Sequence, residues 1–181
     1  MASTMTYVAL VRGINVGRAK RVAMGDLRAM LEDLGFRDVR TLLNSGNAVF
    51  TAPKSAPFAL SERIEEAMSR RLRIAAKVTV VSVSELQAIV DAVPLSTNGR
   101  DPSRLMVGFL RTPADEKRVD EVVRQKWAPD EVAKGPRVVY VWCSDSILES
   151  RAFDAIGRAA GDGITARNWN TVTRLLAMTR A

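Results

Sequence analysis

Twice along this chain the hydrophobic pattern runs strand, helix, strand, strand, helix, strand, and few architectures accept that order twice. In the first half, Tyr7 to Arg12 is a strand rich in valine and leucine. Leu27, Met30, Leu31 and Leu34 then fall at helical spacing ahead of Gly35, a residue suited to a left-handed helix terminus. Val39 to Leu43 and Asn47 to Thr51 read as strands joined by Asn44-Ser45-Gly46. That turn is a hairpin signal, because Asn and Ser bond their own backbone and Gly accepts a positive φ. Leu60, Ile64, Ala67, Met68 and Leu72 mark the next helix, KVTVVS (77–82) the fourth strand, and Ser84 is placed to cap a short helix through Val90.

PLSTNGRDPS (94–103) has the composition of a linker, and beyond it the order repeats. Leu105 to Leu110 is a strand, Ala114 to Val123 a charged helix and Glu131 to Ala133 a short strand. Lys134-Gly135-Pro136 turns into RVVYVW (137–142). Leu148, Ala152, Ala155, Ile156 and Ala159 space as a helix, and Gly161-Asp162-Gly163 turns into a strand through Arg167. A last helix carries Val172, Leu175 and Leu176. Each half fits a split βαβ unit: a four-stranded antiparallel sheet, two helices on one face, and a trailing helix. The residues themselves do not repeat, so the duplication is one of pattern. The expectation is an α+β protein with subdomains over 1–93 and 104–181 and a linker over 94–103.

This topology locates a site that a linear reading misses. In a split βαβ sheet the first and third strands are antiparallel neighbours, so the end of one lies beside the start of the other. Arg12, Gly13 and Asn15 are thereby expected next to Asn44, Ser45 and Asn47. The loop from Gly13 to about Ala23 also exceeds the usual 2–6 residues between strand and helix. It holds Gly17, Arg18, Lys20 and Arg21, and the first 25 residues contain no acid. Glycines permit close backbone approach, and amides ahead of a helix can bind an anion whose charge Arg12 and Lys20 complete. GINVG is neither a phosphate-loop nor a dinucleotide fingerprint. The competing structural reading has Gly13 and Gly17 turning the chain while the cations are solvated. Asn44 and Ser45 likewise read as turn formers, whereas Asn47 begins a strand and suits a buried or ligand-facing amide.

Composition then excludes chemistries. The chain of 181 residues has no histidine and one cysteine, Cys143. Ser-His and Cys-His pairs are absent, as are most zinc and iron ligand patterns, and no internal disulfide can form. Nothing in the sequence calls for a metal or a cofactor, and no pair of acids sits in a catalytic motif. Asp26, Glu32 and Asp33 read as a solvated helix face. A single thiol and the absence of a leader or a long apolar run favour a cytoplasmic protein without a membrane span. Net charge is +7 and the isoelectric point near 10.2, which favours anionic partners.

TARNWNTV (165–172) supplies a secondary candidate in Arg167, Asn168 and Trp169. Asn168 or Asn170 suits an N-cap and Trp169 a core seal; presentation of an Arg-Trp pair to a ligand is the functional alternative. Cys143 follows Trp142 at a strand end and reads as a small buried residue.

YVALVRGINVG, LLNSGNAVF and TARNWNTV together resemble the bacterial family called domain of unknown function 1697, over about Met5 to Met178. The resemblance implies a pair of ferredoxin-like subdomains and no activity. Arg18 stands where the family commonly has a second glycine, and Ala166 where TTRNW is common. The departures add charge to the loop and remove a hydroxyl.

The function these readings favour is a non-catalytic module binding a phosphorylated small molecule or nucleotide at the 12–21 loop and 44–47 turn. One alternative is salt-sensitive nucleic-acid binding through the basic surface. Base stacking as in RNA-recognition sheets is disfavoured, because Asn47 and Val49 stand where aromatics are wanted and only Tyr7 is on offer. The other alternative is an interaction or scaffold role, with an open sheet face pairing in a homo-oligomer.

Overall fold

The computed structural model describes residues 3–18 and 20–180. The chain divides into two compact units, Met1–Leu86 with Leu175–Ala181, and Gln87–Arg174. Each carries one four-stranded antiparallel sheet.

The first unit comprises β1 (Thr4–Val11), α1 (Met24–Asp33), β2 (Arg37–Leu42), β3 (Asn47–Pro53), α2 (Pro57–Ala67) and β4 (Val78–Ser82), with strand order β2-β3-β1-β4. β1 pairs antiparallel with β3, Leu10 opposite Asn47 and Val8 opposite Val49. Strand side chains alternate between faces. Tyr7, Ala9, Val11, Ala48, Phe50 and Val80 therefore point together and bury against Leu27, Met30 and Leu31 of α1 and Leu60 and Ile64 of α2. Phe50 stacks between Phe36 at 4.5 Å and Tyr7 at 5.8 Å. Each such large apolar side chain contributes about 1.5–3 kcal/mol on burial. The helical spacing through Leu72 resolves into α2 followed by a π-turn over Met68–Leu72, which ends at Arg73 in the left-handed region.

α3 (Val83–Asp91) follows β4 with no intervening linker. The expected cap, Ser84, lies two residues too late, inside the first turn of the helix. Ser82 caps instead: its Oγ accepts from the Glu85 N–H at 3.2 Å, while Glu85 Oε2 accepts from the Ser82 N–H at 2.8 Å. The strand runs directly into the helix, so its last residue performs both roles.

The second unit repeats the plan with β5 (Leu105–Leu110), α4 (Pro113–Val123), β6 (Glu131–Gly135), β7 (Val138–Trp142), α5 (Arg151–Ala160) and β8 (Ile164–Asn168), in the order β6-β7-β5-β8. α6 (Trp169–Met178) closes the chain. Met106, Leu110, Val119, Val139, Val141, Ala152, Ile156 and Ile164 form its core. Leu148, expected within α5, lies ahead of it and is 97% exposed. The reason is the cap: Ser150 Oγ accepts from the Phe153 N–H at 3.0 Å and starts the helix at Arg151. Among the described residues no helix is long and apolar enough to cross a membrane.

Candidate functional site

The end of β1 and the start of β3 meet, as their antiparallel pairing requires. The Val11 N–H donates to the Gly46 carbonyl and the Arg12 N–H to the Lys77 carbonyl, both at 2.8 Å. The chain then departs from the sheet for residues 12–23 before α1 begins.

One side chain closes that loop. Asn15 Nδ2 donates to the carbonyls of Val22 at 2.8 Å and Asn44 at 2.7 Å, and its Oδ1 accepts from the Val22 N–H at 2.8 Å. The Asn15 N–H donates to the Lys20 carbonyl at 3.1 Å. Asn15 holds φ 56°, and Gly13 (66°) and Gly17 (61°) are also positive, so every second residue from 13 to 17 turns left-handed. Ile14 is buried beneath the loop against the hairpin, where a Cβ on Gly46 would stand 2.8 Å from its Cδ1 and from Val11 Cβ.

The candidates fall into two groups. Asn15 and Asn47 spend their amides on the protein: Asn47 is fully buried and donates to the Leu42 carbonyl and to Ser45 Oγ, each at 2.9 Å. Arg18, Lys20 and Arg21 are exposed and Arg12 is half-buried, so the cations form the accessible part of the edge. Lys20 also has a positive φ, 49°. α1 begins at Ala23, which provides no side-chain cap. Two exposed apolar residues that the sequence pattern did not single out, Val16 (71%) and Leu43 (50%), flank the Asn15–Asn44 contact. Leu43 sits at φ 58°. Its strained backbone has no signature in a run of two leucines.

The secondary candidates lie on β8 and the start of α6. Asn168 Oδ1 accepts from the Thr171 N–H at 3.0 Å and is the N-cap. Arg167 lies opposite Val107 of β5 and donates to the Ala166 carbonyl at 2.8 Å. Burial pulls its guanidinium pKa down to about 10. Trp169 is half-buried, its carbonyl accepting from Thr173 Oγ1 at 3.0 Å. Cys143 is buried, and that burial raises its thiol pKa and keeps it protonated at neutral pH. Among the described residues no cluster of three or more Asp, Glu or Cys could hold a metal ion.

Tyr7, offered by the sequence as a base-stacking residue, is 1% exposed and sits on the helix side of its sheet. Its hydroxyl donates to the Ser55 carbonyl at 3.0 Å and accepts from the Ser55 N–H at 2.9 Å. Alternation put it in phase with Phe50, and both went into the core.

The same junction in the second unit shows what is special about the first. There the Leu110 N–H donates to the Arg137 carbonyl and the Arg111 N–H to the Gly163 carbonyl, both at 2.9 Å, reproducing the Val11 and Arg12 bonds. Only Arg111 and Thr112 intervene before α4. Its N-terminus is closed from within, Asp115 Oδ2 accepting from the Thr112 N–H at 3.0 Å and Oγ at 2.6 Å.

Two split βαβ units with a 2-3-1-4 strand order in each define a tandem ferredoxin-like protein. A family model described as "Protein of unknown function (DUF1697)" matches residues 5–140, and the chain belongs to that family. Among solved structures it is similar to the conserved bacterial protein SP0830 from Streptococcus pneumoniae, at 24% identity and a TM-score of 0.77. That match covers 97% of this chain and 99% of the other, and the likeness is one of fold. No curated protein matches the sequence.

Proposed function

We infer that the first unit binds the phosphate of a phosphorylated small molecule or nucleotide on the loop from Arg12 to Arg21, beside the Asn44–Asn47 turn. The observation that carries this reading is the contrast between equivalent junctions. In the second unit two residues lead into a helix whose N-terminus is occupied by the buried carboxylate of Asp115. In the first, twelve residues carrying four cations and no acid lead into a helix whose N-cap is an alanine. Asp26 holds the position in α1 that Asp115 holds in α4, yet it is exposed. An external anion thus takes the place of the internal one. Arg12, Arg18, Lys20 and Arg21 supply charge, and loop amides supply directed hydrogen bonds. Asn15 and Asn47 keep the loop and turn in shape.

Calorimetric titration of the full chain with pyrophosphate, AMP and ADP tests this. At least one of them should bind saturably, and Arg12→Ala and Lys20→Ala should each weaken it about tenfold, as expected for losing a charge-assisted contact. A flat response to all three, or binding indifferent to both substitutions, excludes the reading.

A further inference from the structure

The largest cavity described lies at the end of the first sheet that the basic loop does not occupy. It measures about 580 Å³, against about 200 Å³ beside Trp127 and about 170 Å³ beside Arg63. That is within the range of small-molecule sites, about 300–1,000 Å³. Its walls come from three segments of one unit: the start of β1, the β3–α2 connection and the β4–α3 junction.

The chemistry of the lining narrows the ligand. Met5, Tyr7, Ala56 and Pro57 give the lining its apolar part. The polar atoms around it are already committed: Tyr7 Oη bonds Ser55 in both directions, Ser55 Oγ donates to the Pro53 carbonyl at 2.9 Å, and Ser82 and Glu85 bond each other. A ligand body placed here meets no donor or acceptor that it must satisfy, so an apolar body fits. Two charges stand at the rim. Glu85 is tied to Ser82, whereas Lys54 is exposed and its ammonium has no ion-pair partner among the described residues. The free cation attracts an anionic group to the Lys54 side, and the Glu85 carboxylate repels it from the other.

We propose that this pocket binds an amphipathic monocarboxylate, its apolar body on Met5, Ala56 and Pro57 and its carboxylate at Lys54. The site is independent of the loop at the opposite end of the sheet. Its test is an NMR titration of the full chain with octanoate and, as the uncharged counterpart, octanamide. Octanoate should shift the amides of Met5, Ser55 and Glu85 saturably. Octanamide should bind the same place about fivefold more weakly, the most a solvent-exposed charge contributes. Lys54→Met should reduce octanoate to the octanamide level. Ala56→Trp, a substitution at an exposed position, should fill the space and abolish both while the spectrum stays dispersed. Shifts that are absent or fail to saturate overturn the proposal. So does equal binding of the two probes, octanoate binding unchanged in Lys54→Met, or binding that survives Ala56→Trp.

Discussion

The two units share strand order and the paired hydrogen bonds at the mouth of the first strand, but they spend charge and loop length differently. The first holds fourteen Lys and Arg against eight Asp and Glu, a net +6; the second holds thirteen against twelve, a net +1. Nearly all of the protein's basic character is therefore carried by one copy of the fold. The same copy has the long β1–α1 connection and begins both α1 and α2 at alanines that provide no cap, whereas α4 and α5 begin at Thr112 and Ser150 with side-chain caps in place. The second unit shows what the scaffold needs for stability. What the first adds to that minimum is the part available for binding.

Gly46 and Arg137 give the largest expected difference between the copies. Both accept the N–H from the end of the first strand and both have positive φ, 84° and 56°. In the second unit an arginine tolerates the position. In the first, Ile14 of the loop and Val11 fill the space a Cβ would need, at 2.8 Å each. Gly46→Ala should cost roughly 2–4 kcal/mol, combining left-handed strain with overpacking. Arg137→Ala exchanges one L-residue for another and should cost less than about 1 kcal/mol. Chemical denaturation of both variants decides it. Equal losses would mean that neither left-handed strain nor crowding by Ile14 and Val11 selects glycine at position 46.

Asn15 comes next. It has no counterpart in the second unit, where Arg111 and Thr112 leave no loop to close. Removing its three side-chain bonds by Asn15→Ala should cost about 1–3 kcal/mol and speed hydrogen exchange at Val22, with little change in the second unit's amides. Asn15→Gly relieves the positive φ while still losing the bonds. If it matches wild type in stability and exchange, backbone conformation and not the side-chain clasp holds the loop.

Much of this organisation is legible in the sequence alone. The element order forces the split βαβ arrangement, and that arrangement brings Arg12 beside Asn44 through antiparallel pairing alone. Even the short strand at Glu131 is recoverable, because β7 needs a partner on its outer edge. The failures share a cause. Alternation assigns residues to two faces without saying which face the helices cover, so Tyr7 looked available for stacking. Helical spacing does not show where capping begins a helix, so the spacing draws Leu148 into α5 and the cap falls at Ser82, read as strand, and not at Ser84. The Asn15 clasp is not legible either: two of its three side-chain bonds reach Val22 and one reaches Asn44, 29 residues away, and such contacts leave no local mark. The Lys54 pocket was invisible for the same reason, being assembled from three separated segments.

The smallest expected effect tests the contrast most directly, by giving α1 the internal anion that α4 already has. Ala23 has extended backbone, φ −70° and ψ 137°, the conformation an N-cap requires, and lacks only an acceptor. Ala23→Asp supplies one, and should stabilise the protein by about 1 kcal/mol, mirroring the loss expected when Thr112→Ala removes the cap of α4. The same carboxylate places negative charge among the cations of the loop. Stability should therefore rise while affinity for the best-binding phosphate compound falls by about tenfold, two readouts moving in opposite directions. A gain in stability with unchanged phosphate binding would separate the helix end from the anion site and leave the cations of the loop as the whole of it.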